Sequence, residues 1–443
     1  MIKVHSKERV TNHYGTLRGH TAAISAVEVF YVPSMFTASL ATGNDQLFEP
    51  TLISSDESGW IIWWDITIKR PLAVWKAHEG NILTVKQVGL DWTEANTASI
   101  DEKWFGKLLT HGKDGDLKVW DLFQVSKDAY YSYRPSSLLN KKVHVEGDDV
   151  TQWKTPRLPF EMPINVMNFA NVDINNGVLL APGTQDSAKI DIYRIDIETS
   201  NLTRLFKAVC PMEIAEQNRI DLNVQAIPDS EVRGLGIVMK LVWIADNKFA
   251  AGYESGHVII FQIQAESIDI VQYDVQHYPN PILSLYYDAT NEKLISTSSS
   301  DKIVIQTTDS SKLFHVNHKG VADVKTRNDL VGLVTWDGYA RFYNYDDQTT
   351  LKFKFKLSKM VPSISATNSS TDIAENASNI QGQRVGVLAF SKSQPFHERS
   401  ELAYINGSAK NLVRRRDEMK LTSNWLFLGY KDGKVAVYTT NNA

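Results

Sequence analysis

Cysteine is nearly missing from this chain: Cys210 is the only one in 443 residues. An intrachain disulfide is therefore impossible and a cysteine-based metal centre is excluded, a usage that suits a reducing compartment. No apolar run approaches the ~20 residues of a membrane-spanning helix, and the opening MIKVHSKERVTNHYG lacks the apolar core of a signal peptide. The expectation is a protein neither exported by that route nor embedded in a membrane. An excess of one charge is lacking too: 47 Lys and Arg against 51 Asp and Glu leave a formal net charge of −4. That balance gives no pull toward nucleic acid, so direct nucleic-acid binding is not expected. The chain has no P-loop, no HExxH and no GxSxG, and Gly234-Leu235-Gly236 lacks the third glycine and the strand-to-helix setting of a dinucleotide fingerprint. His315 and His318 are spaced HxxH, but no third ligand accompanies them. We expect no catalytic residues, no cofactor and no metal.

What the chain does have is repetition. Residues 108–122 read LLTHGKDGDLKVWDL, an apolar pair, an Asp114-Gly115 turn and an alternating run ending in Trp120-Asp121. Asp-Gly accepts the positive φ angles of a tight hairpin turn, and period-two flanks mark strands. The same pattern returns as LISSDESGWIIWWDI at 52–66, KFAAGYESGHVIIFQI at 248–263, LVGLVTWDGYARFYNY at 330–345 and WLFLGYKDGKVAVYTT at 425–440. Weaker copies stand at 179–195 and at 293–308, where Gln306 replaces the terminal aromatic. A four-stranded unit cannot bury both faces alone, so seven copies predict blades stacked around an axis.

The Gly19-His20, Trp64-Asp65 and Trp120-Asp121 marks resemble the WD-repeat family of β-propellers, over essentially the whole chain. The fold expected is all-β, a single seven-bladed propeller spanning residues 1–443. His20, His78, His277 and His318 each precede an apolar run, beginning near Ile24, Ile82, Ile282 and Val321. The resemblance implies that such a histidine sits in the turn entering a blade and hydrogen-bonds within it. It implies a buried network of His78, Thr110, Asp114 and Trp120 in blade 2, and of His20, Ser54 and Trp64 in blade 1, left incomplete because Ser58 stands where an aspartate is expected. Such networks order a blade; they do no chemistry.

The last copy ends at Tyr438, so its blade lacks an outer strand unless residues 1–18, around His13 to Arg18, supply it and close the ring. Insertions are expected near 123–163, 207–236, 358–383 and 391–424. The prolines and charges of 123–163 read as loop and leave blade 2 without a placeable outer strand. MEIAEQNRI after Pro211 reads as a short helix, and SISATNSSTDIAENASN within 358–383 as disorder.

Three loops between first and second strands, Pro33 to Pro50, Gly89 to Lys103 and Ser391 to Asn424, belong to blades 1, 2 and 7, neighbours in a closed ring. They are expected to cluster on one face as a docking surface, with Trp92, Trp104 and the run Arg414-Arg415-Arg416 as candidate contacts. The basic run also reads as a solvated loop or helix face, and Trp92, Trp104 and Trp153 also read as staples holding their loops. Within the family, the opening GTLRGHTAAISAVEVF, the blade ends WWDI and VWDL and the terminal GYKDGKVAVY resemble the fungal ASTRA-associated subunits. That resemblance implies a non-catalytic subunit of the ASTRA assembly, tied to chromatin regulation and to the Tel-Tti cochaperone that matures PIKK-family kinases. Its expected place is the nucleus, with the cytoplasm a second compartment. A peptide-reading adaptor, such as a ubiquitin-ligase substrate receptor, is the alternative; it would use a pocket at the ring's central mouth.

Overall fold

The computed structural model describes residues 11–34, 47–92, 98–127, 131–135, 138–165, 170–225, 234–328, 330–344, 351–355, 384–392 and 412–440. Seven four-stranded antiparallel sheets form the seven blades. Blade 1 runs outward from the axis as Ile24–Pro33, Phe48–Asp56, Trp60–Asp65 and Arg70–Lys76. Blade 2 is Ile82–Val88, Lys107–Gly112, Asp116–Asp121 and Arg157–Pro163, and blade 3 is Asp173–Asn175, Val178–Pro182, Ile190–Asp196 and Asn201–Val209. Val238–Ala245, Lys248–Tyr253, Val258–Ile263 and Ile268–Asp274 make blade 4; Ile282–Asp288, Lys293–Ser298, Lys302–Gln306 and Ser311–His315 make blade 5. Blade 6 is Val321–Arg327, Leu330–Thr335, Ala340–Asn344 and Leu351–Phe355.

Blade 7 takes Val385–Phe390, Asn424–Tyr430 and Lys434–Thr440 from the end of the chain and Thr11–Arg18 from its beginning. The two ends pair antiparallel from Thr11 opposite Thr440 to Arg18 opposite Lys434. This closure covers the edge that the last strand would otherwise present to solvent.

The turn glycines are dictated by packing as well as by φ. Gly59 has φ 90°, and a Cβ there would lie 1.9 Å from the His78 carbonyl oxygen, in the segment that enters the next blade. Blade 2 does have an outer strand, Arg157–Pro163, against the expectation of loop. Its prolines are tolerated because the strand is outermost, and Pro159 falls at the register shift between Val119 and Asp121 of its partner. The expected short helix is present as α1, Pro211–Asn218. Segment 358–383 lies outside the described residues.

Between blades the core is apolar and, around blade 1, rich in tryptophan: Trp63, Trp64 and Trp75 are all but fully buried. Along the axis, side chains of one inner strand bond the backbone of the next. Asp173 accepts the Trp243 N–H at 2.8 Å, Asp323 accepts that of Leu388 at 3.1 Å, and Gln87 accepts from Tyr31 N–H while donating to its carbonyl, both at 2.8 Å. Lys86 bridges blades 2 and 3 by donating to Asp173 and to the Ile174 carbonyl. These four side chains hold blade to blade, since inner strands cannot reach one another with backbone alone.

Candidate interaction face

Three of the four recurrent histidines hydrogen-bond within their blades. In blade 2 the Trp120 indole N–H can only donate, and it does so to Thr110 Oγ1 at 2.9 Å. His78 Nε2 lies 2.8 Å from the same hydroxyl, and its Nδ1 lies 2.9 Å from Asp114. The arrangement therefore places the proton on Nδ1, facing the carboxylate, and the Thr110 hydroxyl donates to Nε2. Burial lowers the His78 pKa against the opposing pull of Asp114, favouring this neutral form.

Blade 1 is complete after all. His20 Nε2 meets Ser54 Oγ at 2.7 Å, Trp64 donates to that hydroxyl at 2.8 Å, and Asp56, not a residue at position 58, accepts from His20 Nδ1 at 2.8 Å. Asp56 can serve because its other oxygen also takes the turn N–H groups of Ser58 and Trp60, which folds the carboxylate back toward the histidine. In blade 5, His277 bonds Ser298 and Ser296, and burial pushes its pKa down to about 4. His318 departs from the pattern. It is half-buried, 3.6 Å from Asp337, while buried Arg341 bonds both Asp337 and Thr335. Burial pushes the Asp337 carboxyl up, but bonds from Arg341 and Thr335 outweigh it and hold the group below its usual range. His257, which no repeat marks, is fully buried in blade 4 between Ser255 and the Leu222 carbonyl.

The described parts of the blade 7 and blade 2 insertions both pack onto blade 1. Helix α2, Leu412–Thr422, lies in the blade 7 insertion and packs onto blade 1. Its Lys420 is buried and reaches Asp65 at 3.0 Å and Glu49 at 3.5 Å. Leu421 is fully buried, and the Lys420 carbonyl accepts the Trp425 indole N–H at 3.3 Å. The Lys392 N–H bonds the Tyr31 hydroxyl, linking blade 7 to blade 1 directly. From blade 2, the short hairpin Leu90–Trp92 with Ala98–Ile100 lays Trp92 edge-on to Tyr31 at 4.9 Å and to Phe48 at 6.0 Å. The closing strand joins in, with Tyr14 against Trp425 and its hydroxyl donating to the Thr67 carbonyl at 3.0 Å.

With this geometry in hand, known proteins can be compared. A family model described as ASTRA-associated protein 1 matches residues 13–438, from the closing strand to the end of the last blade. A protein of Komagataella phaffii with that name is 33% identical, over 95% of this chain and 96% of its own length. Proteins of the same name from Meyerozyma guilliermondii, 27% identical over 96% of this chain and 98% of theirs, and from Saccharomyces cerevisiae, 26% identical over 95% of each, also match. The chain belongs to the ASTRA-associated protein 1 family.

In this ASTRA-associated protein 1 family member, several expected contacts turn out to be packing. Trp104 is only 5% exposed and fills the joint between blades 2 and 3, its Nε1 3.3 Å from where a Cβ of Gly177 would sit. It is withdrawn from the surface and is no candidate for docking. Trp92 is half-buried and staples its hairpin to blade 1, and Trp153 does likewise against Trp60 at 5.6 Å. Of the basic run, Arg416 is exposed; the side chains of Arg414 and Arg415 lie outside the described residues. Residues 412–422 are therefore not a dispensable loop, because their inner side is part of the core. Sequence gives no signal for this, since Lys420 sits in a charged run that reads as solvated.

Proposed function

We propose that this protein is a non-catalytic scaffold subunit of the ASTRA complex that presents the ring face carrying the blade 7, 1 and 2 insertions to protein partners. The observation that carries the reading is the family match across the whole ring, from the closing strand to blade 7. The buried His, Asp, Ser and Thr sets support the non-catalytic part, because their hydrogen-bonding capacity goes to tryptophans, turns and one another. The family resemblance further suggests work in chromatin regulation and with the Tel-Tti cochaperone in assembly and stability of PIKK-family kinases, in the nucleus and secondarily the cytoplasm. The platform would serve by holding several surfaces in fixed relation, which loops on a rigid scaffold do well. Purification of the tagged full chain from nuclear extract, with stoichiometric partners identified, tests the reading. ASTRA subunits and the Tel-Tti cochaperone are expected; a ubiquitin ligase in their place would favour the substrate-receptor alternative, and a partner-free monomer would defeat the scaffold reading.

A further inference from the structure

On the turn between the second and third strands of blade 6, Trp336 is 55% exposed. The repeats supply an internal control. Two residues before the turn glycine, or before Asp301 in blade 5, the equivalent turns carry Glu57, Lys113, Glu254, Ser299 and Lys431, all polar; the blade 3 turn is longer and has no counterpart. The fold therefore does not ask for an indole there. An exposed tryptophan forgoes the burial that usually stabilises so large an apolar surface.

The ring is held in place. Its backbone N–H donates to the Gly320 carbonyl at 2.9 Å. Its face lies so close to Gly320 that a Cβ there would be 2.0 Å from Trp336 Cδ2. Gly320, with φ 71°, is thus a flat seat on which the indole rests with little rotamer freedom left to lose on binding.

Two exposed cations stand on adjoining residues. Lys319, next to that seat, and Arg384, which lies over Gly338 two residues beyond the indole, are exposed, and their charged ends form no ion pair among the described residues. The nearby acid, Asp337, is already held by buried Arg341 and by Thr335. An exposed indole seated on Gly320, with exposed cations on the adjoining Lys319 and on Arg384 over the same turn, complements an apolar side chain flanked by carboxylates.

We propose that Trp336, Lys319 and Arg384 form a docking point for a partner protein's segment that carries an apolar or aromatic side chain between acidic residues. This goes beyond membership in the ASTRA complex and does not depend on it, because it lies on the opposite side of the ring from the loops between first and second strands of blades 7, 1 and 2, as the alternation of turns in a four-stranded blade requires.

The test uses the full chain labelled with fluorotryptophan, in which the Trp336 resonance is the one of eleven lost in Trp336→Phe. It is titrated with a synthetic peptide holding one phenylalanine among aspartates, and with a counterpart holding lysines instead. The expected result is a saturable shift of the Trp336 resonance with the acidic peptide alone. That affinity should fall about tenfold or more in the double variant Lys319→Glu, Arg384→Glu, and should weaken as salt is raised. The other resonances report that each variant is folded. Absence of a shift up to about 1 mM acidic peptide, where only affinities of about −4 kcal/mol or weaker escape detection, would overturn the proposal. So would an equal shift with the lysine peptide, or a shift undiminished in the folded double variant.

Discussion

Lys420 offers the sharpest test of how the blade 7 insertion is held. Its ammonium is buried between Asp65 and Glu49, with all three side chains no more than 16% exposed. Lys420→Met keeps the stem packed and deletes the charge, leaving two carboxylates buried without their cation. Breaking a buried pair from one side costs about 3–5 kcal/mol. The lower end applies here, because Asp65 keeps bonds from Thr67 and Ile68, and Glu49 keeps one from Ser34. At roughly 2.1 cal/mol/K per residue, 443 residues give an unfolding entropy of about 0.9 kcal/mol/K, so 3 kcal/mol lowers Tm by about 3 °C.

The pH dependence separates lost charge from lost packing. Burial pushes the Asp65 pKa up, but Lys420 and the hydrogen bonds from Thr67 and Ile68 outweigh it, leaving the group below its ordinary value. A depressed carboxylate contributes stability above its unfolded pKa of about 3.9, lost as pH falls through the folded value. Without Lys420 the burial effect gains on the hydrogen bonds and that contribution shrinks or reverses. The deficit of Lys420→Met should thus be full at pH 7 and shrink below about pH 4. Calorimetry at pH 7 and pH 3.5 reads both. A Tm within about 1 °C of wild type at pH 7, or an equal loss at both pH values, would refute the clasp.

Deleting residues 1–18 should uncover the edge of Lys434–Thr440 and cause aggregation or a large fall in Tm; an unchanged melting curve would rule out strand closure as a source of stability. His78→Ala should cost about 1–3 kcal/mol by leaving Thr110 and Asp114 short of a partner, whereas half-buried His318→Ala should cost less, within about 0.5 kcal/mol; equal costs in urea unfolding would contradict the assignment. Gln306 is buried in blade 5 with neither end of its amide bonded among the described residues, so Gln306→Met should raise stability by about 1–3 kcal/mol, and a loss would point to a role for the amide.

Repeat number and strand order were legible because both rest on local chemistry: period-two alternation and glycine turns write themselves into every blade. The blade 2 network was legible for the same reason, since His78, Thr110, Asp114 and Trp120 stand at fixed offsets within one repeat. Blade 1 was misread because its aspartate comes two residues early, and only the fold of the turn at Ser58 shows that Asp56 reaches His20. The outer strand of blade 2 was hidden by Pro159 and Pro163, which exclude a central strand but not an edge.

What stayed illegible is what lies between repeats. Lys420 and Asp65 are 355 residues apart, and nothing near either one marks them as partners. The same distance problem explains the tryptophans. Trp92 and Trp104 both fall outside the four strands of their blade, yet one meets Tyr31 and Phe48 across a blade boundary and the other fills a joint against Gly177. Trp336 sits in a turn whose repeat equivalents are all polar, and it is the one left exposed. An aromatic outside the strand pattern thus says only that something other than its own blade must explain it. Whether that something is a neighbouring blade or a partner protein depends on whether the ring has closed over it. For Trp104 it has; Trp336, where Gly320 supports one face and Lys319 adjoins that seat, stays 55% exposed.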